Sequence, residues 1–474
     1  MRLVILNHPF RYEMEKLSRE FFPEGIEIKE EVSGEREIVT SLFENEISVR
    51  FDSLEKRADI SSLKEKNDIE RLMAQLLYSV LSEKTCYSPS WGILTGIRPS
   101  KVMRNNISRS GEQKAKKYFT DELFVSEKKT DLALEVAKRE QKIIDLSKNN
   151  SFSLYISIPF CPTRCSYCSF ISHSYESVKK LIPEYVEKLV EEIRLTGKIA
   201  KDLGLKLETV YFGGGTPTTL EADDLKAITC AVSESFDTEK LREYTVEAGR
   251  PDTVTAEKLD VLKQSGVTRI SINPQSFNDG VLEAIGRRHT GKQTEEAFLL
   301  AREKGFDNIN MDLIAGLPTD TLSGFKNTLD KVLSLSPENI TVHTLSIKRS
   351  SFLSEKADYS AALLAEQMLL ETEKRLYGNY FPYYMYRQSK TLGNLENVGW
   401  CKEGREGFYN IFMMEEVHSV FACGAGAVTK LRSVKNENIE RVFNFKYPFE
   451  YIKDYESVIK RKDRIYGFYN SYNN

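Results

Sequence analysis

Between residues 154 and 345 the chain presents six short β-type runs separated by helical patterns, and few folds accommodate that rhythm. The β-type runs are Leu154 to Ile158, Thr209 to Phe212, Tyr244 to Val246, Arg269 to Ile272, Ile309 to Ile314 and Ile340 to Leu345. Apolar residues at helical spacing fill 183–203, 222–235, 256–265, 294–304 and 322–333. Strand and helix in alternation make right-handed parallel βαβ units. Six strands are two short of a closed eight-stranded barrel. The sequence therefore predicts an α/β fold, an open three-quarter TIM-like (β/α)6 barrel.

The unusual residues recur at one position in each unit. Cys161-Pro-Thr-Arg-Cys-Ser-Tyr-Cys168 follows the first strand and Gly213-Gly-Gly-Thr-Pro217 the second. Glu247 closes the third, Asn273-Pro-Gln275 follows the fourth, and Asp312 lies near the end of the fifth. Parallel barrels build active sites at the C-terminal ends of their strands, so these segments point into one mouth. The glycine triplet lets backbone groups approach a ligand amine or carboxylate, although a tight βα turn needs the same residues. Glu247 and Asp312 are acids on apolar strands, and a buried acid pairs with a cation or accepts from a ligand hydroxyl or amine. Gln275 and Arg287 supply planar donors suited to a carboxylate, whereas Arg288 is expected to face solvent. His289 and His343 fit either core or site; His8, His173 and His418 read as structural or exposed.

Cys161, Cys165 and Cys168 let three thiolates converge on one small object from a single loop. A cubane cluster has four irons, so three thiolates leave one iron without a protein ligand, open to a cosubstrate. The alternative is structural zinc, which wants a closed tetrahedral shell. The remaining cysteines (Cys86, Cys230, Cys401, Cys423) are isolated, and among the histidines His173 is close enough in sequence to act as a fourth ligand. An odd count of seven, spread over a large chain, argues against a disulfide framework.

At 474 residues, 41% hydrophobic and 29% charged, the chain has interior enough for two or three globular domains. The predicted units are an α+β accessory region over 1–150 (β-rich to 55, helical over 60–147), the barrel over 151–350, and a closing subdomain over 351–474 that could cover the mouth. Within the first, Trp91 to Lys101 reads as an irregular apolar loop carrying Arg98 and Lys101. The apolar start before Pro9 is too short for a signal peptide, and no segment approaches the roughly 20 apolar residues of a membrane span. Free cysteines suit a reducing cytoplasm. A net charge of −3 leaves no basic excess for nucleic acid. A monomer is expected.

At these residues the sequence resembles the radical S-adenosylmethionine (SAM) superfamily, whose signature is Cys-x3-Cys-x2-Cys. More narrowly it resembles the oxygen-independent coproporphyrinogen III oxidase (HemN-like) family, and within it the HemZ branch. Leu154-Tyr-Ile-Ser-Ile-Pro-Phe-Cys161, Gly213 to Thr218, Arg269 to Phe277, Gly286-Arg-Arg-His-Thr290 and Asp312 to Pro318 carry the likeness. The loop at Trp91 to Lys101 and the segment Tyr409 to Lys430 carry the likeness to the HemZ branch.

The resemblance implies that Cys161, Cys165 and Cys168 hold a 4Fe–4S cluster whose open iron chelates SAM. It implies that Tyr155, Gly214 and Glu247 contact this SAM. Gly215, Thr216, Gln275, Arg287 and Asp312, with Tyr167, match the positions of a second. The implied reaction uses a 5′-deoxyadenosyl radical to convert propionates of coproporphyrinogen III to vinyls, with a flavodoxin- or ferredoxin-type electron donor. Its propionates call for cations, for which Arg98, Lys101, Lys348 and Arg349 are candidates. A haem-binding chaperone, or another radical enzyme on tetrapyrroles (a methyltransferase or haem degrader), stays open. Two departures stand out. Ser169-Phe170-Ile171 occupies a stretch where some members carry a further cysteine. Tyr409-Asn410 replaces the His-Asn pair of the haem-chaperone branch.

Overall fold

The computed structural model describes residues 1–32, 34, 36–96, 98–168, 173–347, 359–388, 390–436 and 438–473. The chain opens with β1 (Arg2–Leu6), α1 (Arg11–Phe21), β2 (Glu27–Lys29), β3 (Glu37–Phe43), β4 (Glu46–Phe51) and β5 (Leu54–Asp59). They form a sheet in the order β2-β1-β3-β4-β5, with β1 parallel to β2 and β3 and the rest an antiparallel meander. Helices α1 and α2 (Lys66–Thr85) pack on it through Met14, Leu17, Met73 and Leu77, against Leu3, Ile38, Ile47 and Val49. Sequence patterning missed β3 and β5. The second is the charged edge strand LEKRAD, and charge on an edge discourages pairing with another chain at the expense of a hydrophobic signal.

Three further helices follow: α3 (Pro99–Ser110), α4 (Glu112–Lys117) and α5 (Glu127–Ile144). Pro99, at the first turn of α3, fixes the backbone angle a helix start requires, so the irregular loop ends before it. Trp91 in that loop is buried, its indole N–H donating to Glu396 at 2.7 Å.

The barrel then forms as expected. Its strands are β6 (Ser151–Ile158), β9 (Lys206–Gly214), β10 (Glu243–Glu247), β11 (Arg269–Ser271), β12 (Ile309–Ala315) and β13 (Asn339–Thr344), all parallel to their neighbours. The two-residue strands β7 (Phe160–Cys161) and β8 (His173–Ser174) form a separate ribbon, with helix α6 (Tyr175–Val178) next to it. Helices α7 (Ile182–Asp202), α8 (Ala222–Ser235), α9 (Ala256–Gln264), α10 (Asp279–Ala284), α11 (Gly291–Glu303) and α12 (Leu322–Leu335) fill the crossovers. Period-two alternation sorts the strand residues. Leu154, Ile156, Val210, Phe212, Val246, Ile270, Met311 and Val342 are buried in the apolar layer. The alternate set (Ser153, Tyr155, Thr209, Tyr211, Glu243, Thr245, Glu247, Arg269, Asp312, Thr341 and His343) makes the lumen polar and aromatic.

Beyond residue 358, α13 (Tyr359–Leu376) leads to β14 (Phe381–Arg387) and β15 (Glu396–Cys401), which extend the sheet beyond β13. After α14 (Phe408–Met414), β16 (Ser419–Cys423) pairs parallel with β6, followed by β17 (Val428–Arg432) and β18 (Ile439–Phe443). Helices α15 (Pro448–Lys453) and α16 (Tyr455–Asn473) pack outside. The sheet ends at β14 and β18, which do not pair, so the barrel stays open.

Of this segment, residues 402–418 pack at the end of the barrel opposite the mouth, whereas Tyr386 faces His343 and Tyr447 packs on His173 on the mouth side. The Phe408 amide donates to Glu243, Arg269 reaches the Arg405 carbonyl, and His418 lies between Ser147 and Ser153. All these partners sit at strand N-termini or just before them. The physical reason is that this end carries buried Glu243 and Arg269, whose polar atoms need partners that the plug supplies.

Candidate active site

The cysteine loop is pinned at its base and its tip. The ribbon of β7 and β8 pairs Phe160 with His173, the Ser166 amide donates to the Ile285 carbonyl at 3.0 Å, and the Thr163 hydroxyl donates to the Gly286 carbonyl. A turn brings the Cys168 amide to the Cys165 carbonyl at 3.1 Å. None of the seven cysteines is disulfide-bonded. The glycine loop packs directly on this segment. A Cβ on Gly215 would meet the Phe160 carbonyl oxygen at 2.5 Å. The amides of Gly215 and Thr216 donate to Ile158 and Phe160, so these two N–H groups fasten the loop rather than lie open to a ligand. The Thr216 hydroxyl reaches the Cys161 sulfur at 3.5 Å.

Below the loops the lumen holds a tyrosine stack. Tyr211 and Tyr409 stack at 4.4 Å between ring centres, with Tyr155 at 6.3 Å from each. The Tyr211 hydroxyl donates to Glu247 at 2.5 Å. Burial pushes the Glu247 carboxyl up to about 7, with Asp312 adding to the rise and Tyr211 and His343 opposing it. Burial also pushes the Asp312 carboxyl up, but His343, Asn310 and Thr341 more than offset this and hold it below the ordinary value. Asp312 lies 3.7 Å from His343, whose other nitrogen faces the Tyr386 hydroxyl at 3.3 Å. Two carboxyls at one mouth thus hold opposite protonation tendencies.

Gln275 adopts a left-handed backbone (φ 65°), locked by hydrogen bonds to Asp312 and Ile314, and its buried side-chain oxygen has no partner. Such strain in a non-glycine residue clusters at functional sites. Arg287 is buried, donating to the carbonyls of Asn273 (2.6 Å) and Gly249 (3.4 Å) and to the Tyr167 hydroxyl (3.2 Å), with its Nε unpartnered. Arg288 is exposed, as expected. His289 is 2% exposed with both ring nitrogens unpartnered.

Sequence reasoning missed Tyr211 and Arg250. Tyr211 was detectable, being two residues before Gly213 on the same inward face. Arg250, three residues past Glu247, gave no periodic signal because it lies beyond the strand. The proposed propionate cations fare differently. Arg98 is paired with Glu416 at 2.7 Å and donates to the Met414 carbonyl, at the end of the barrel opposite the mouth, and Lys101 lies on α3. Lys348 and Arg349 fall outside the described residues, as do Ser169, Phe170 and Ile171. Packing of α3 against the plug, invisible in sequence, takes Arg98 away from the mouth.

The donor set, three cysteines on one loop, fits an iron–sulfur cluster. His173, the fourth ligand that zinc would need, stands with its ring against Tyr447. A cubane places each thiolate on its own iron, so its sulfurs stay apart. The Gln275 oxygen, Arg287 Nε and His289 nitrogens are buried polar atoms without partners, as a site that takes up a polar ligand would leave.

Residues 155–332 match the sequence profile of the Radical SAM superfamily. The oxygen-independent coproporphyrinogen-III oxidase-like protein HemZ of Bacillus subtilis is 37% identical over 415 residues, covering 85% of this chain and 82% of that protein. The heme chaperone HemW of the same organism is 33% identical, over 62% of this chain and 74% of its own. The structure of the Escherichia coli coproporphyrinogen III oxidase HemN, a radical SAM enzyme, superposes with a TM-score of 0.50 at 21% identity, over 68% of this chain and 72% of that one. The chain belongs to the radical SAM superfamily, in its HemN-like family and the HemZ branch, and its cofactors are a 4Fe–4S cluster and SAM.

Proposed function

We propose that this chain is a coproporphyrinogen III dehydrogenase-type enzyme that oxidatively decarboxylates propionate side chains to vinyls. The observation that carries the reading is the convergence of the cysteine loop, the glycine loop, Glu247, Gln275 and Asp312 on one mouth of the lumen, with residues 402–418 packed at its other end. Packing of that end favours a substrate held in a dry site. The names of the HemZ and HemN relatives supply the substrate class.

When bound, the cluster and SAM supply a one-electron reductive cleavage that generates the hydrogen-abstracting radical. The chain's residues do the placing. Cys161, Cys165 and Cys168 hold the cluster. Tyr155, Gly214 and Glu247 would line the position of the first SAM, where the Glu247 carboxylate would accept hydrogen bonds from it. Tyr167, Gly215, Thr216, Gln275, Arg287 and Asp312 surround a second position, to which Gln275 and Arg287 offer their unpartnered atoms. The tyrosine stack lines the lumen below these loops and would limit water there.

A haem-carrying role, as named for HemW, would call for an axial ligand at the Tyr409-Asn410 position. Tyr409 instead is 5% exposed in the barrel floor, which supports the enzyme reading over it.

Anaerobic incubation of reconstituted protein with SAM, a low-potential reductant and coproporphyrinogen III tests the proposal. With a one-electron acceptor also supplied, the expected product has lost two molecules of carbon dioxide and four hydrogens and gained two vinyls, as mass spectrometry reads it. SAM cleavage without vinyl formation would discard the substrate. Methyl addition or ring opening would assign a different tetrapyrrole chemistry.

A further inference from the structure

We infer that Arg250 sets how readily the cluster accepts its electron, by directing a buried guanidinium group at the sulfur of one ligand, Cys165. The inference rests on the ligand role proposed for Cys165. Arg250 stands in the turn Gly249-Arg250-Pro251 after β10 and is 2% exposed. Its Nη1 lies 3.8 Å from the Cys165 sulfur and 3.3 Å from the Thr163 carbonyl oxygen. Its Nη2 donates to the Thr163 hydroxyl at 3.0 Å. Asp252 takes the remaining edge, at 3.2 Å from Nε and 3.5 Å from Nη2. Five contacts therefore fix the guanidinium plane on the cysteine loop.

Arg287 is buried nearby on another chain segment, held by the Asn273 and Gly249 carbonyls and by the hydroxyl of Tyr167, which stands in the cysteine loop itself. The Thr216 hydroxyl, a neutral donor, reaches the Cys161 sulfur. One buried cation thus reaches a ligand sulfur and a second lies beside the cysteine loop, and neither makes a close ion pair with the lumen acids Glu247 or Asp312.

The step concerned is uptake of one electron, from [4Fe–4S]2+ to [4Fe–4S]1+, from an external low-potential reductant, with no proton moved. The reduced form carries one more negative charge. Fixed positive charge and N–H donation at a ligand sulfur stabilise that form more than the oxidised one and raise the potential. The effect is strong where water is excluded. Buried His289 lies 3.9 Å from Asp252, next to this corner. Asp252 works in the opposite sense, since its carboxylate offsets part of the Arg250 charge.

The test is a redox titration of the reconstituted protein, following the paramagnetic signal of the reduced cluster and quantifying iron in each sample. At a fixed solution potential, Arg250→Gln is expected to lower the ratio of reduced to oxidised cluster by about tenfold, a midpoint drop of about 59 mV for one electron. Arg250→Lys keeps the charge and is expected to retain most of the wild-type ratio. Asp252→Asn is expected to move the ratio the other way. A fully iron-loaded R250Q protein with the wild-type midpoint would overturn the inference, as would a D252N shift in the same direction as R250Q. If R250Q does not retain iron, the sign of the D252N shift decides. Wild-type protein that binds no iron would overturn the ligand assignment itself, a result distinct from either.

Discussion

Lys129→Ala is expected to destabilise the protein by about 3–5 kcal/mol, a large share of the roughly 5–15 kcal/mol that holds a typical domain folded. Lys129 is 1% exposed, and its ammonium sits 2.6 Å from Glu396 and 2.7 Å from Glu373. Burial pushes the Glu396 carboxyl up, but Lys129 and the Trp91 indole hold it below the ordinary value. Removing the ammonium leaves a buried carboxylate without its cation. The contact joins α5 to β15 and, through Trp91, to the loop before α3, so docking of the N-terminal region on the barrel sheet should loosen first.

Lys129→Met, which keeps the volume, is expected to cost nearly as much, and adding Glu396→Gln should recover at least half of the loss. The penalty should also shrink toward pH 5, because the orphaned carboxyl can then take up a proton. Urea denaturation monitored by Trp91 and Trp400 fluorescence reads all three. A loss below about 1 kcal/mol for K129A would mean that the pair is not what anchors the docking.

Glu247→Gln should separate stability from binding. The Glu247 pKa in the fold is raised to about 7. Its stabilising contribution is therefore complete below its unfolded value and is lost as pH rises through about 7. The full linkage over that interval is about 3 kcal/mol, and the carboxyl's partial opening to the mouth reduces it to about 1–2 kcal/mol. At pH 8 the glutamine variant is thus expected to be the more stable protein, with the difference vanishing near pH 4.5. SAM affinity should move the other way, falling about 10–100-fold on loss of a charge-assisted hydrogen bond. Thermal unfolding across pH and equilibrium binding of SAM measure the two effects. A variant no more stable at pH 8, or one that binds SAM as wild type does, contradicts this account of Glu247.

Most of the barrel was legible because its signals are local. Apolar period-two runs marked β6 and β9 to β13, and the motif residues fell at their C-terminal ends. The lumen was partly legible: the alternation that placed Glu247 inward also places Tyr211 and Thr245. What stayed hidden depends on contacts distant in sequence. Tyr409 stacks on Tyr211 from almost two hundred residues away, and Arg98 is claimed by Glu416. The same holds for β16, which pairs with β6 only once the intervening barrel is built. Arg250 is the instructive miss. Its function would rest on one sulfur in another loop, and no periodicity encodes that.

The most direct test is Mössbauer spectroscopy of 57Fe-reconstituted protein without oxygen, before and after SAM is added. Three cysteine ligands on four irons predict that SAM perturbs one iron and leaves the other three unchanged, and that replacing Cys161, Cys165 or Cys168 with alanine removes the cluster. Four equivalent irons indifferent to SAM, or a cluster that survives loss of a triad cysteine, would contradict the account.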